Sequence, residues 1–325
     1  MLRTVSASGP IRIFLASGNA HKVAELRDLA ADSGLGVSIH SAREAGGMPP
    51  ALAAARRIVV LGDSITSGGT YVDFVEAVVR LRVPGWRGEI ISLGLSSETV
   101  SGLSETGHAG GKFPRPDLHE RLARILAQTQ PDIVLACYGM NDGIYQPLEE
   151  KRFQAFKNGI NHLLDSCQKA GVKRVILVTP PIYDATTKAG EFNYDTVLTA
   201  YAAWEKTLQR PGLEVVDLHT AMRAAREKRT EVFSKDRVHP GDEGHLLMAR
   251  TILTGVGLDT PEEPLAKIKA DPLFQQVDLL RRYRATHWMN FTGYSREKVV
   301  APTPLGDAEA QAAKIQAKIN ELRKK

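Results

Sequence analysis

Four polar residues of this sequence are of the types that a nucleophilic hydrolysis site needs. Ser64 could act as a nucleophile, and His239, three positions after Asp236, could act as its general base beside an orienting acid. Asn141 could donate its side-chain amide to a developing oxyanion. Each has an ordinary structural alternative, because serine and aspartate often cap helices and asparagine is common in tight turns. Chemistry is therefore indicated only if the fold brings all four together.

From residue 57 onward the sequence alternates strand and helix patterns. The predicted strands are Ile58–Leu61, Glu89–Leu93, Ile133–Cys137, Val175–Val178 and Glu214–Val216. The predicted helices are Tyr71–Leu81, Leu118–Gln128, Phe153–Gln168, Asn193–Leu208, Ala221–Lys228 and Asp242–Leu253. This alternation predicts an α/β fold with a doubly wound sheet of about five parallel strands. Such sheets bind ligands at the carboxyl ends of their strands, where Ser64 and Asn141 stand.

Three blocks of sequence carry a family resemblance. They are Gly62 to Thr66 (Gly-Asp-Ser-Ile-Thr), Gly139 to Asp142 (Gly-Met-Asn-Asp), and Asp236 to Pro240 followed by Gly244-His245. In this order they resemble the SGNH, or GDSL-type, hydrolases over residues 55–256. Those are serine esterases and lipases on a flavodoxin-like sheet. The resemblance implies a three-layer α/β/α architecture.

The resemblance also implies a role for each of the four polar residues. Ser64 would be the nucleophile, His239 the base that takes its proton, and Asp236 the acid that orients the imidazole. The oxyanion hole would use the Ser64 backbone N–H, the Asn141 side-chain amide and a backbone N–H from the loop after the second strand of the sheet.

That loop departs from the family pattern. The family reads Gly-x-Ser-Gly-x-Thr, and the block from Gly94 to Thr99 has Ser97 in place of the second glycine. A backbone N–H survives this change, so Ser97 is the predicted third donor, and strain at a positive φ would be its cost. The alternative is a shifted register in which Gly94 donates. We expect structural roles for Asp63 and His245, which belong to the matching blocks.

The loop Ser101–Pro116 is long enough to suggest a functional role. We expect it to border the substrate pocket, and Tyr138, Tyr145 and Pro181 could line the same pocket. His108 lies near the middle of the loop. A second catalytic role for His108 is the less favoured alternative to a structural one.

The first 50 residues have a different character. They show a strand pattern at Ile11–Ala16, a helix pattern at Val23–Ala31 and a strand pattern at Val37–Ile39. The block Ser17 to Lys22, followed by Glu25, resembles the first segment of the inosine and xanthosine triphosphate pyrophosphatases. In that family the Asn and Lys contact the triphosphate. The family's later acidic metal ligands have no counterpart downstream, so a structural extension is favoured over nucleotide chemistry.

We predict three segments, which are an N-terminal extension (1–50), a hydrolase domain (51–257) and a mostly helical C-terminal extension (258–325). The run Gly46–Pro50 reads as a linker. In the last segment Leu273–Tyr283 has a helical pattern and Trp288–Phe291 reads as an aromatic patch in a loop. The apolar positions of Ala308–Arg323 are sparse, which favours a helix that lies on a surface or pairs with another helix.

Composition excludes several other classes. The 325 residues carry a net charge of +5, but Lys and Arg are interspersed with Asp and Glu, so nucleic acid is not an expected partner. Two cysteines, Cys137 and Cys167, make neither a disulfide framework nor a zinc site, and buried free thiols are expected. No apolar run approaches the roughly 18 residues of a membrane span, and no signal peptide is visible, so we expect a cytoplasmic enzyme.

The sequence therefore predicts a serine esterase for short-acyl carboxylic esters, with acetylated carbohydrates as candidate substrates. No cofactor or metal ion is expected, and the partner is a small-molecule ester. A lysophospholipase or thioesterase on the same fold is the main alternative, and a nucleoside-triphosphate pyrophosphatase acting through residues 11–50 is a remote one. The complete Ser-Asp-His set disfavours a non-catalytic binding module. The pattern does not indicate an oligomeric state.

Overall fold

The structure is a computed structural model, and it describes residues 11–15, 20–33, 37–41, 55–83, 85–186, 190–258, 260 and 262–324. Two features of the sequence lie outside these residues. They are Ser17–Asn19 of the pyrophosphatase-like block and the predicted linker Gly46–Pro50.

Strands and helices alternate along most of the described chain. In chain order they are β1 (Ile11–Leu15), α1 (Ala20–Asp32), β2 (Val37–Ser41), β3 (Arg57–Gly62), α2 (Ser64–Gly68), α3 (Thr70–Arg82), β4 (Glu89–Ser92), α4 (Leu118–Thr129), β5 (Ile133–Cys137), α5 (Glu150–Lys169), β6 (Arg174–Val178), α6 (Asp195–Glu205), β7 (Leu213–Val216), α7 (Leu218–Arg226), α8 (Asp242–Gly255), α9 (Leu265–Ala270), α10 (Pro272–Thr292), β8 (Tyr294–Ser295), β9 (Val299–Val300) and α11 (Ala308–Leu322).

Five strands form one parallel sheet in the order β4-β3-β5-β6-β7, which confirms the predicted doubly wound α/β/α fold. Ile58 of β3 lies opposite Ile90 of β4 and Ile133 of β5. The chain leaves β3 for β4 on one side and reaches β5 on the other side. The order of winding therefore reverses beside β3, and a crevice forms at the carboxyl ends of β3 and β5.

The hydrophobic pattern explains why these segments take these forms. The residues from Ile58 to Gly62 of β3 are all buried, as expected of a central parallel strand covered on both faces. Helix α4 is amphipathic, with Leu122 and Ile125 buried on its inner side. The Asp117 carboxylate caps this helix by accepting a hydrogen bond from the backbone N–H of His119 (2.9 Å).

The C-terminal region packs directly on the parallel sheet and its helices. Helix α10 lies against α3 and β4, with the rings of Phe74 and Phe274 4.8 Å apart. The prediction of a loop at Trp288–Phe291 is wrong, because these residues continue α10 and Trp288 is buried. Asp271 caps the start of this helix and Gly293, at φ 67°, ends it. The helical spacing of this 21-residue helix continues through the aromatic residues. Considered without the rest of the helix, the same residues resemble a surface patch.

The last helix, α11, packs on α10 and buries Ala312 and Ile319 against it. The sequence prediction of a helix paired with another helix is therefore correct. Between the two helices, β8 and β9 form a short antiparallel hairpin that the sequence did not indicate.

At the N-terminal end, β1 and β2 pair in parallel, with α1 between them in the chain. This agrees with the strand-helix-strand pattern, although the helix begins earlier, at Ala20. The resemblance of this segment to nucleotide pyrophosphatases stays a prediction.

The two cysteines, Cys137 and Cys167, are free and buried, as predicted. Burial raises the pKa of both thiols. Within the described parts of the chain, no helix combines the length and the apolar character needed to cross a membrane.

Candidate active site

Ser64 is the first residue of α2, directly after β3. The Asp63 carboxylate caps this helix by accepting a hydrogen bond from the backbone N–H of Ile65 (2.9 Å), as expected of a structural residue. Burial raises the pKa of Asp63 to about 7. Gly62 allows the tight passage from strand to helix, because a Cβ there would lie 2.1 Å from the Thr66 Oγ1. The polypeptide chain thus turns sharply between β3 and α2 and presents the Ser64 side chain at the carboxyl edge of the sheet.

The structure brings Ser64, His239 and Asp236 into one hydrogen-bonded row. His239 Nε2 lies 2.8 Å from Ser64 Oγ, and His239 Nδ1 lies 2.6 Å from Asp236 Oδ2. A carboxylate only accepts hydrogen bonds, so in the neutral ring Nδ1 carries the proton and Nε2 offers its lone pair to the serine hydroxyl. This is the arrangement required for a base that removes the serine proton.

The Asp236 carboxylate is fixed from two directions. Its Oδ1 accepts hydrogen bonds from the backbone N–H groups of His239 (2.8 Å) and Val238 (3.0 Å). Partial burial alone would raise the pKa of Asp236, but the hydrogen bonds from His239 and these N–H groups lower it below its usual value. Asp236 therefore stays ionised and able to stabilise a positively charged His239.

Asp184, which the sequence did not indicate, anchors the loop that carries Asp236 and His239. Its carboxylate is buried and accepts hydrogen bonds from the backbone N–H groups of Phe233 and Ser234. Arg226 Nε donates to the other oxygen at 2.7 Å. A tether from the loop after β6 to the loop before α8 thus holds the imidazole at the edge of the sheet.

The side-chain amide of Asn141 has a fixed orientation. Its Nδ2 donates to the backbone oxygen of Glu98 (3.2 Å), which leaves the second hydrogen of this nitrogen for another acceptor. Its Oδ1 accepts from Arg115 Nη1 (2.9 Å) and from the Tyr145 hydroxyl (3.2 Å). Two donors on Oδ1 identify it as the oxygen, so the nitrogen faces Glu98.

Arg115 connects the long loop after β4 to Asn141 of the candidate site, and a border with the substrate pocket stays a prediction. Its guanidinium forms two hydrogen bonds of 2.7 Å with the carboxylate of Glu105. His108 Nδ1 lies 3.4 Å from the same carboxylate, and its ring meets the Phe113 ring edge-on. The structure therefore places His108 with the Arg115–Glu105 pair and not with Ser64.

The other residues expected near the pocket differ in their surroundings. Tyr145 contacts Asn141, whereas the Tyr138 hydroxyl donates to the buried carboxylate of Glu98 at 2.6 Å. Pro181 is buried as well.

Ser97 has a φ of 70°, which is the left-handed conformation expected at this position. The backbone N–H of Glu98 donates to the oxygen of Leu95 (3.1 Å), so residues 95–98 form a β-turn with Ser97 third. Ser96 is not at a positive φ, so the signs of φ at the two central residues are those of a type II turn. Among the described residues no backbone or side-chain acceptor takes the Ser97 N–H.

Gly94, the alternative donor, lies in a crowded position. A Cβ on this residue would lie 2.4 Å from the backbone nitrogen of Ser67. The glycine therefore allows the loop after β4 to approach α2 closely, and this accounts for it without a catalytic role.

Asp142 and His245 are buried beside the site. The Asp142 carboxylate accepts hydrogen bonds from the backbone N–H groups of Val100 (2.9 Å), Ser101 (2.8 Å) and Gly139 (3.0 Å), and burial raises its pKa to about 6. The His245 ring stacks on Tyr71 at 6.1 Å, and burial lowers its pKa to about 4. The Asp142 carboxylate thus ties two loops together, whereas His245 packs α8 against α3, a structural role as expected. In the described part of the chain, no three His, Cys, Asp or Glu side chains are grouped so as to hold a metal ion.

Comparison with known proteins identifies the family. Residues 60–247 match the GDSL-like lipase/acylhydrolase family, which is more than half of the 325 residues. Axe2, an acetylxylan esterase from Geobacillus stearothermophilus crystallised as a catalytic mutant, is 20% identical, with a TM-score of 0.50 over 64% of this chain and 97% of that chain. LAE5, an alpha/beta hydrolase enzyme from the metagenome of Lake Arreo, Spain, is 22% identical, with a TM-score of 0.47 over 63% of this chain and 97% of that chain.

No curated protein matches the chain in sequence. At 20% identity the Axe2 structure supports the fold alone, and the match of residues 60–247 shows the family. The chain belongs to the GDSL-like lipase/acylhydrolase family and is a carboxylic ester hydrolase of the SGNH type.

Proposed function

We propose that the protein is a serine esterase that hydrolyses short-acyl esters through Ser64, His239 and Asp236. The observation that carries this proposal is the row of contacts from Ser64 Oγ to His239 Nε2 (2.8 Å) and from His239 Nδ1 to Asp236 Oδ2 (2.6 Å). A nucleophile, a base and an orienting acid in hydrogen-bond contact are the parts that acyl transfer requires.

The reaction has two steps. In the first, Ser64 Oγ bonds to the ester carbonyl carbon while its proton moves to His239 Nε2. The resulting oxyanion accepts hydrogen bonds from the backbone N–H groups of Ser64 and Ser97 and from the Asn141 amide. His239 gives the proton to the leaving alcohol as the C–O bond breaks. In the second step His239 Nε2 takes a proton from a water, whose oxygen bonds to the acyl carbon. As the bond from that carbon to Ser64 Oγ breaks and the carboxylic acid leaves, His239 returns the proton to Ser64 Oγ.

The surroundings of the site favour a small polar substrate. Arg115 and Glu105 bring a charged pair from the loop 101–116 up to Asn141. A long alkyl chain gains little from such a surface, whereas an acetylated sugar can hydrogen-bond to it. We therefore propose short-acyl esters, with acetylated carbohydrates as the first class to test. A lysophospholipase or thioesterase on the same fold is the alternative.

Replacing the nucleophile tests the mechanism. We expect Ser64→Ala to lower turnover of p-nitrophenyl acetate by more than about a thousandfold, because no other hydroxyl contacts His239 Nε2 among the described residues. Ser67→Ala is the matched control, since Ser67 is exposed and lies one turn along the same helix. Wild-type-like turnover by Ser64→Ala would refute the proposal.

A panel of substrates tests the acyl preference. The panel comprises p-nitrophenyl esters from acetate to laurate, acetylated xylan fragments, a lysophospholipid and an acyl-coenzyme A thioester. We expect the highest kcat/KM with acetate and butyrate and with acetylated fragments. A preference for laurate, lysophospholipid or thioester would replace this substrate class with the alternative.

A further inference from the structure

The C-terminal region, which lies beyond the family match at residues 60–247, reaches the candidate oxyanion hole. Arg296 lies in the turn between β8 and β9, where its backbone N–H donates to the oxygen of Lys298 (3.2 Å). The hairpin begins directly after α10, which packs on α3 and beside β4. The hairpin is therefore attached to the sheet edge from which the loop carrying Ser97 emerges.

The half-buried side chain of Arg296 makes one hydrogen bond with the loop that carries Ser97. Its Nε donates a hydrogen bond to the backbone oxygen of Ser96 at 3.1 Å. Its guanidinium also lies over the ring of Phe113, 4.9 Å from the centroid, which holds the side chain in place. The same side chain lines a cavity of about 520 Å³ between α10 and the loop after β4.

The Ser96 oxygen and the Ser97 N–H belong to the same peptide group. This group is planar, and its C=O and N–H bonds point in opposite directions. A donor that fixes the direction of the oxygen therefore also fixes the direction of the Ser97 N–H. A cationic donor on the oxygen further polarises the amide and strengthens its N–H as a donor.

This peptide needs such support because of the residue that follows it. A type II turn differs from a type I turn by a flip of the central peptide, and it places its third residue at a positive φ. Glycine accepts that conformation readily, whereas Ser97 at φ 70° does not. Without a contact on the Ser96 oxygen, the serine favours the flipped turn, in which the Ser97 N–H points away from the site.

We propose that Arg296 is a positioning residue for the oxyanion hole, holding the Ser96–Ser97 peptide so that the Ser97 N–H faces the reacting oxyanion. This inference rests on the proposed function, because it assumes that Ser97 donates during ester hydrolysis. It gives the C-terminal hairpin, which lies outside the matched residues 60–247, a part in catalysis. Arg296 compensates for the serine that stands where the family has glycine.

A double-mutant cycle tests the proposal with p-nitrophenyl acetate. We expect Arg296→Met to lower kcat about 10- to 100-fold with KM changed less than about threefold, since the loss of one oxyanion donor lowers kcat by up to about a thousandfold. In the Ser97→Gly background, where the turn no longer needs support, we expect Arg296→Met to lower kcat less than about threefold. A purely structural role for Arg296 would produce the same loss in both backgrounds.

The controls separate folding and mechanism from positioning. Arg282→Met removes another arginine from the wall of the same cavity, one that pairs with Asp278 instead of the loop, and its kcat should stay within about twofold of the wild type. Circular dichroism and thermal melting check that each variant is folded. If Arg296→Met does not fold, Arg296→Ala, which likewise has no donor for the Ser96 oxygen, takes its place in the cycle.

Three outcomes overturn the inference. They are an Arg296 variant whose kcat stays within twofold of the wild type, an equal loss with and without Ser97→Gly, and a loss confined to KM. A Ser64→Ala variant that remains active is a different result, because it refutes the proposed function itself.

Discussion

The Asn141 amide nitrogen has one hydrogen bound to the Glu98 oxygen and one hydrogen available. If the second hydrogen binds the oxyanion, Asn141→Ala should lower kcat roughly a hundred- to a thousandfold with little change in KM. Tyr145→Phe is the matched variant, since it removes only one of the two donors on Asn141 Oδ1 and should cost a few-fold. Steady-state kinetics on p-nitrophenyl acetate measures both. A loss of only a few-fold for Asn141→Ala would remove it from the oxyanion hole.

Replacing Ser97 with glycine should make the folded protein more stable. A serine at φ 70° is strained, and glycine relieves that strain at some cost in chain entropy. We expect Ser97→Gly to raise the free energy of unfolding by about 0.5–1 kcal/mol and to keep kcat within about threefold, because the backbone N–H remains. Urea unfolding and kinetics provide the measurements. A tenfold loss of activity would show that the serine side chain itself takes part.

At the scale of elements, helix α4 secures the loop after β4 through a buried ion pair. Arg121 donates to both carboxylate oxygens of Glu98 (2.6 and 2.8 Å) and to the Leu93 oxygen (2.7 Å), and both charged side chains are fully buried. Burial raises the pKa of Glu98, although Arg121 opposes this effect. The pair therefore ties α4 to the segment that ends in the candidate oxyanion hole.

Removing one member of this buried pair should lower the free energy of unfolding far more than breaking an exposed pair. We expect Arg121→Met to lower the free energy of unfolding by about 3–5 kcal/mol, because it leaves Glu98 buried without its cation. Lys267→Ala, which breaks an exposed pair with Glu263, should cost under about 1 kcal/mol. Adding Glu98→Gln to Arg121→Met should recover part of the loss in urea unfolding. Equal effects of Arg121→Met and Lys267→Ala would contradict this account.

At the scale of the whole molecule, the buried histidine links stability to pH. His245 has a pKa of about 4 in the folded protein and 6.5 when unperturbed, because burial disfavours its charged form. Between these values the unfolded chain binds a proton that the folded protein does not. The stabilisation is complete above pH 6.5 and is lost as the pH falls toward 4.

His245→Gln should remove this dependence. The difference in free energy of unfolding between wild type and variant should shrink by on the order of 3 kcal/mol from pH 7 to pH 4. Comparing the two proteins is essential, since buried acids such as Asp63, with a pKa of about 7, change stability in the opposite direction over the same range. Urea titrations at several pH values provide the test. A difference that is constant with pH would contradict the assignment.

Local patterns in the sequence were sufficient to predict the sheet and the order of the site residues. Apolar runs such as Ile58–Leu61 and Ile133–Cys137 are local signals, and strands that alternate with helices leave few topologies other than a doubly wound sheet. The motif blocks placed Ser64, Asn141 and His239 at or beyond element ends. Those blocks also predicted the family, which the match at residues 60–247 bears out.

The residues that support the site could be identified only from the folded molecule. Arg115, Asp184 and Arg296 act through contacts with residues 26, 49 and 200 positions away in the chain, and no local pattern encodes such pairings. The wrong prediction of a loop at Trp288–Phe291 has the same cause. The residues that bury these aromatic side chains lie elsewhere in the sequence. Hydrophobic period and turn chemistry act over a few residues, whereas hydrogen bonds between loops depend on how the whole sheet brings distant segments together.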